Sequence, residues 1–310
     1  MKKVWKQILR AAGFFGIFFG AEISGYVILS VVLSFIVSFR LAAQSGGSFD
    51  ITQYTNEVTA LYTNNMTVGL LISLVLGIGI LFIIFGARKV NPFQQVDAKK
   101  TPGVFYLLAI IGALGCFFFL EYVMYVIPFP ESLMNSLNDS LLSTTASGPF
   151  LLSFLANVIA APILEEVFFR GLIFGRLNRA MPTVVAMIIT SLLFGLMHGH
   201  PVWIIWAFCF GMIINYIRVQ SGSIIPGLII HMILNAIGVV ANNTNILSNL
   251  TMLHVILFII IGALLLIAYF ILCTIFGKKA KAEGKVAEPV LEEEEILYSR
   301  KKRPVDEVVL

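Results

Sequence analysis

Apolar runs of bilayer length recur along this chain, and they restrict its fold more than any other feature. Eight of them lie at approximately 13–39, 66–87, 104–127, 150–174, 184–198, 202–217, 224–240 and 253–276. A helix crosses the hydrocarbon core with about 17–25 residues at 1.5 Å each. The expected fold is therefore all-α, a polytopic membrane protein with about eight transmembrane helices. The fifth and sixth runs are short and predict a tilted hairpin, with the turn Gly199-His200-Pro201 held in the outer leaflet or within the protein.

Composition agrees. The chain is 58% hydrophobic and 12% charged, whereas a soluble domain carries roughly 25% charged residues. The net charge of +4 is small, and no nucleic-acid partner is expected. Cys116, Cys209 and Cys273 all fall in apolar runs without metal-ligand spacing, and read as buried thiols. The start, with Lys2, Lys3, Lys6 and Arg10, resembles a signal peptide. The apolar run behind it exceeds the usual signal core of about 7–15 residues and predicts a retained span.

Charge placement sets the orientation. Lys2, Lys3, Lys6, Arg10, Arg88, Lys89, Lys99, Lys100, Arg176, Arg179 and Arg218 lie in the N-terminal segment or in alternate loops, and Lys278, Lys279, Lys281, Lys285 and Arg300-Lys301-Lys302-Arg303 follow the last run. The other loops hold Asp50, Glu57, Glu131 and Asp139, with Arg40 at a span end. By the positive-inside rule both termini are expected in the cytoplasm, which requires an even number of spans. Residues 1–276 read as the membrane domain and 277–310, with the Glu292–Glu295 block, as a charged, disordered cytoplasmic tail. The 40–65 loop has room for a short helix. A cell membrane, in particular a bacterial plasma membrane, is the expected location.

Chemistry enters with Leu164-Glu165-Glu166-Val167-Phe168-Phe169-Arg170. Ionisable groups at bilayer depth cost at least a few kcal/mol and face partners, a cavity or a function. Glu166 and Arg170 stand four apart, so they can pair on one helix face, with the acid in the favoured N-terminal position. Glu165 is turned about 100° away and is left to do chemistry. His198 closes Phe194-Gly195-Leu196-Met197-His198, and His231 with Asn235 share a face of the seventh run. Two neutral donors on one face suit a developing oxyanion; the bland reading of each histidine is an interhelical brace. His200, beside Pro201, reads as peripheral and His254 as interfacial. Glu22 reads as an extra partner for the Arg170 region, and Glu121 as close to the outer interface with Tyr122 and Tyr125. Counted along their helices, Glu165, His231 and His198 lie roughly 15, 10 and 20 Å from the basic end, which predicts a cavity in the cytoplasmic half of the membrane.

Glu165-Glu166-x-x-x-Arg170, Phe194-x-x-x-His198 and His231-x-x-x-Asn235, in that order over about 150–240, resemble the three motifs of the CPBP intramembrane proteases. That family includes the CAAX prenyl endopeptidases and the bacterial Abi, or bacteriocin-processing, proteins. The resemblance implies an eight-span endopeptidase whose cavity opens towards the cytoplasm and inner leaflet. It implies Glu165 as general base, His198 as its partner in activating water, and His231 with Asn235 at the scissile carbonyl. The substrate it implies is a membrane-associated peptide or protein, prenylated in some members.

A carboxylate in a low-dielectric cavity is a better base at working pH, so no cofactor is required. Glu165, His198 and His231 are also a donor set for zinc, which would acidify a bound water. The chain has no His-Glu-x-x-His motif, and the metal-free form is favoured. Two other classes compete: a proton- or metal-ion-coupled transporter using the same groups, and a non-catalytic scaffold or bacteriocin-immunity protein. The chain has no internal repeat of the kind that transporters use.

Overall fold

The computed structural model describes residues 2–45, 50–145, 148–244 and 250–286. The Glu292–Glu295 block and the Arg300–Arg303 cluster lie outside them. The helices of more than one turn, in chain order, are α1 (Lys2–Ser45), α2 (Ile51–Asn64), α3 (Met66–Ala87), α4 (Val104–Val126), α5 (Glu131–Thr145), α6 (Phe150–Leu177), α7 (Thr183–Leu196), α8 (Pro201–Ser221), α9 (Ile225–Asn243) and α10 (Met252–Ala282). There is no strand among the described residues. The chain is an all-α polytopic membrane protein.

Seven helices among the described residues, α1, α3, α4, α6, α8, α9 and α10, are long and apolar enough to span a bilayer. The sixth apolar run, expected to be short, forms the 21-residue α8. Pro201 lends its fixed backbone angle to the first turn, where no amide hydrogen is needed, and Gly222 in the left-handed conformation (φ 67°) ends the helix. The fifth run is short in fact. Its 14-residue helix α7 rises roughly 21 Å at 1.5 Å per residue, short of the thickness of the hydrocarbon core. Gly195 lets α7 and α8 close on each other, because a side chain there would strike the Ile204 carbonyl at 2.7 Å.

Helix α1 is longer than any membrane requires, roughly 66 Å for its 44 residues. Its far end is held by α2, through an ion pair between Arg40 and Glu57. Hydrogen bonds from Gln53 and then Arg40 hold the Glu57 carboxyl below its ordinary range. Asp50 caps α2 by accepting from the amides of Thr52 and Gln53. The loop between α4 and α6, which the sequence left without helix, carries the amphipathic α5. It turns Met134, Leu137 and Leu141 inward and leaves Glu131, Asn135 and Asp139 exposed.

Contacts gather the basic loops at one end of the bundle. Arg176 donates to the Gln95 side chain at 2.7 Å, Arg218 to Asp97 at 2.5 Å, Ser223 to the Lys99 carbonyl at 2.6 Å and Thr101 to the Ser221 carbonyl at 3.0 Å. The start of α1 packs against the end of α6 at the same level. The expected boundary at residue 277 shifts, because α10 continues to Ala282. Gly277 sits against Gln220, and Val286, buried, packs on Gly222. Lys279 and Lys281 in that last turn complement the negative end of the helix dipole.

Candidate active site

The core of the bundle is α6, which turns Glu166, Phe168, Phe169 and Arg170 away from solvent and lipid. Phe18 of α1 packs edge-on against Phe169 at 4.9 Å between ring centres, and Gly77 of α3 leaves the space that Leu164 fills. The helix widens into π-type turns at Leu155–Ala160 and Glu166–Ile173. Such turns disturb the regular hydrogen-bond ladder and recur at functional sites. Here the second of them begins at Glu166, directly after Glu165.

Glu166 and Arg170 pair as their spacing predicts, Arg170 Nη1 donating to Glu166 Oε1 at 3.0 Å, with both side chains wholly buried. The guanidinium also lies 4.2 Å over the Phe194 ring, a cation–π contact that a planar cation makes well. The same Glu166 oxygen accepts from His231 Nδ1 at 2.9 Å. That bond sets the ring, so His231 Nε2 faces Glu165 Oε2 at 3.5 Å. One imidazole thus bridges two adjacent carboxylates, and both its nitrogens lie against glutamate oxygens. Its face is walled by Phe194 and Phe210.

His198 is anchored differently. Its Nδ1 donates to the Phe194 carbonyl at 2.9 Å, and Trp203 packs edge-on against the ring at 4.9 Å. A carbonyl only accepts, so the proton is on Nδ1 and Nε2 of the neutral ring carries a lone pair. Glu165 and His198 make no direct hydrogen bond among the described residues, but they line the same cavity. Asn235 donates from Nδ2 to the Asn157 carbonyl at 2.7 Å, within the first π-type stretch of α6. The second amide hydrogen of Asn235 is left for the cavity, which the residue lines. Glu165, Glu166, Arg170, His198, His231 and Asn235, from α6, the end of α7 and α9, therefore come together. His231 is bonded through Nδ1 to Glu166, and both His231 and Asn235 line the cavity.

The cavity has a volume of about 800 Å³, within the usual range for ligand sites of roughly 300–1,000 Å³. Sequence reasoning missed two of its carboxylates. Glu22 of α1 and Glu121 of α4 both line it; Glu22 is a neighbour of Glu165 in the cavity wall rather than a partner for Arg170. The cost of an intramembrane carboxylate was the available signal that each faces a polar space.

The cavity's direction corrects an expectation. Glu165 and His231 lie nearer the basic ends of α6 and α9, whereas His198 follows the far end of α7. The cavity's open volume runs away from the basic ends, past Tyr26 and Tyr125 to Met66, Asn242, Leu250 and the inner face of α5. Below the floor, towards the basic end, Phe168, Leu172, Ile173 and Phe174 are packed and fully buried. The sequence gives depth along each helix but does not say on which side of a polar group the neighbours leave room.

As for zinc, Glu165, His198 and His231 do not converge as a ligand set among the described residues. The Nδ1 atoms of both histidines are bonded elsewhere, to Phe194 and to Glu166.

The fold and site define a class: a helical membrane protein that buries a carboxylate–histidine–amide cluster at the bottom of an intramembrane cavity. Residues 147–237 match the family of type II CAAX prenyl endopeptidase Rce1-like proteins, and that segment contains all three motifs and every residue of the cluster. Over that segment the chain is similar to CAAX-type intramembrane proteases. No curated protein and no solved structure matches the chain.

Proposed function

We propose that this protein is an intramembrane endopeptidase that hydrolyses a peptide bond of a membrane-associated polypeptide with water activated by Glu165. The observation that carries this reading is the buried chain Arg170–Glu166–His231, which sets His231 Nε2 3.5 Å from the Glu165 carboxyl at the floor of a cavity large enough for an extended peptide. A structural brace would need only the first pair.

In this reading Arg170 fixes Glu166, Glu166 fixes the His231 ring, and that ring stands 3.5 Å from the Glu165 carboxyl. Glu165 accepts a proton from a water, and His198 Nε2, a lone pair on a ring held by Phe194 and Trp203, accepts a hydrogen bond from the same water and aims it. The water oxygen forms the new bond to the carbonyl carbon. Charge develops on the carbonyl oxygen, where the free N–H of Asn235 stabilises it, a contribution of about 2.7–4 kcal/mol for a well-placed donor. Glu165 then returns its proton to the departing amine nitrogen as the C–N bond breaks. No step is assigned to a metal.

The test is cleavage of a labelled membrane-proximal peptide by purified protein in liposomes. Glu165→Gln and His198→Ala are expected to abolish turnover while keeping the helical content and size-exclusion profile of the wild type. Equal turnover by wild type and Glu165→Gln would remove Glu165 as the base.

A further inference from the structure

We propose that the cavity is loaded from the face opposite the basic loops, so that its substrate is a polypeptide segment on the non-cytoplasmic side of the membrane. This rests on the peptidase reading above and adds the side from which that site is fed. Two independent observations meet here.

The first is where the space lies. From Glu165 the cavity passes Asn235 and ends beside Met66 and Asn242, under α5. Helix α5 packs against α3, α8 and α9 and therefore lies across that end, with Leu137 buried beneath it and Asn138 both exposed and lining the cavity. It makes a rim that is apolar inside and polar outside. In the opposite direction Glu165 is backed by close-packed aromatic and aliphatic side chains of α6, and then by the Arg218–Asp97 pair. A chain arriving from the basic end meets packed protein.

The second observation is charge. Arg10, Arg88, Lys99, Lys100, Arg176 and Arg218 belong to loops and helix ends that the structure gathers on one face, and the helix carrying Lys278, Lys279 and Lys281 ends there too. The rim carries Glu131 and Asp139 on α5, and α2, packed on α1, carries Glu57, which pairs with Arg40. Short basic loops remain in the cytoplasm, so the rim is on the other side. A cytosolic C-terminal tail, prenylated or not, would reach the closed side. A juxtamembrane segment of an exported or membrane-anchored protein would reach the open one.

Single cysteines report the sidedness directly in bacterial cells producing the full chain. Asn138→Cys tests the rim and Glu131→Cys gives a second rim position. Gly103→Cys, exposed before α4, tests the basic face without removing a charge. Wild type, whose Cys116 and Cys273 are buried and Cys209 half-buried, is the blank. A membrane-impermeant biotin maleimide is expected to label both rim positions in intact cells and Gly103→Cys only after permeabilisation; the reverse pattern overturns the proposal. Protein N-termini are then compared between cells with wild type and with Glu165→Gln. Termini made only by wild type are expected in non-cytoplasmic segments, and their confinement to cytosolic segments would also overturn it. Rim labelling from outside without any Glu165-dependent terminus would uphold the direction of access and defeat the peptidase reading instead.

Discussion

Arg170 concentrates the cost of burying charge in this protein. It is fully enclosed, and Glu166 is the one carboxylate among the described residues that it pairs with. Removing one partner of such a pair strands the other, at about 3–5 kcal/mol, whereas replacing both with apolar or neutral groups is much milder. Arg170→Met is therefore expected to lower the thermal midpoint of the detergent-solubilised protein sharply. The double variant Arg170→Met/Glu166→Gln should recover most of that loss, yet remain inactive because His231 has lost its anionic anchor. A double-mutant cycle followed by thermal unfolding and by turnover checks both halves. This pair was legible in the sequence because its two members share one helix and their spacing fixes their geometry. The bridge from His231 to both glutamates was not. It depends on how far α9 slides and turns against α6, and on the Glu166–Ile173 π-type turn, which brings both neighbouring carboxylates to one ring.

At the scale of the helix, the same limit separates what could be read from what could not. Positions and rough lengths of the apolar helices follow from hydropathy, and α7 is as short as its apolar run. The extent of α8 was underestimated because Arg218, Gln220 and Ser221 break the apolar pattern after residue 217. Asn215 is bonded to Ser191 of α7 at 3.0 Å and Arg218 to Asp97, so both are buried in a continuing helix. Tertiary partners made polar residues acceptable there. Two interhelical contacts lend themselves to measurement. Asn235→Ala removes the bond from α9 to the Asn157 carbonyl; polar contacts of this kind within membranes are worth about 0.6 kcal/mol on average and up to about 1.7. The variant should thus unfold only slightly more easily while turnover falls by orders of magnitude, and comparison of the melting shift with kcat separates the two roles. Gly25 lies where α1 crosses α3, and a side chain there would overlap Ser73 and the Gly69 carbonyl. Gly25→Val is expected to cost about 1–3 kcal/mol by overpacking. Because Glu22 is one turn away, it should also impair activity, whereas Gly79→Val, with open space around it, should do neither.

For the whole molecule, the sequence supplied the number of apolar runs and the charge asymmetry between loops, both of which are sums over local features. It did not supply the cavity's direction, which depends on where ten helices leave space between them. That direction also bears on the competing reading as a transporter. Alternating access needs a route from the central site to each face, usually built from repeats and broken helices. The route towards α5 exists here. Towards the basic end, Phe168, Phe169, Leu172, Ile173, Phe174 and Leu177 fill the layer beneath Glu165, and the 97–101 segment is tied over them by Arg218, Ser223 and Thr101. Opening a second route would mean pulling apart that aromatic and aliphatic layer, and burying each of those side chains is worth roughly 1.5–3 kcal/mol. A cavity that opens towards α5 over a packed floor suits a reaction whose substrate and products use the same door. Proteoliposomes carrying an internal pH dye should therefore show no proton flux above that of empty liposomes when a pH step or a membrane potential is imposed, in the same preparation that cleaves peptide. Flux that depends on Glu165 and persists without peptide would show that the packed layer opens, and would favour a transporter.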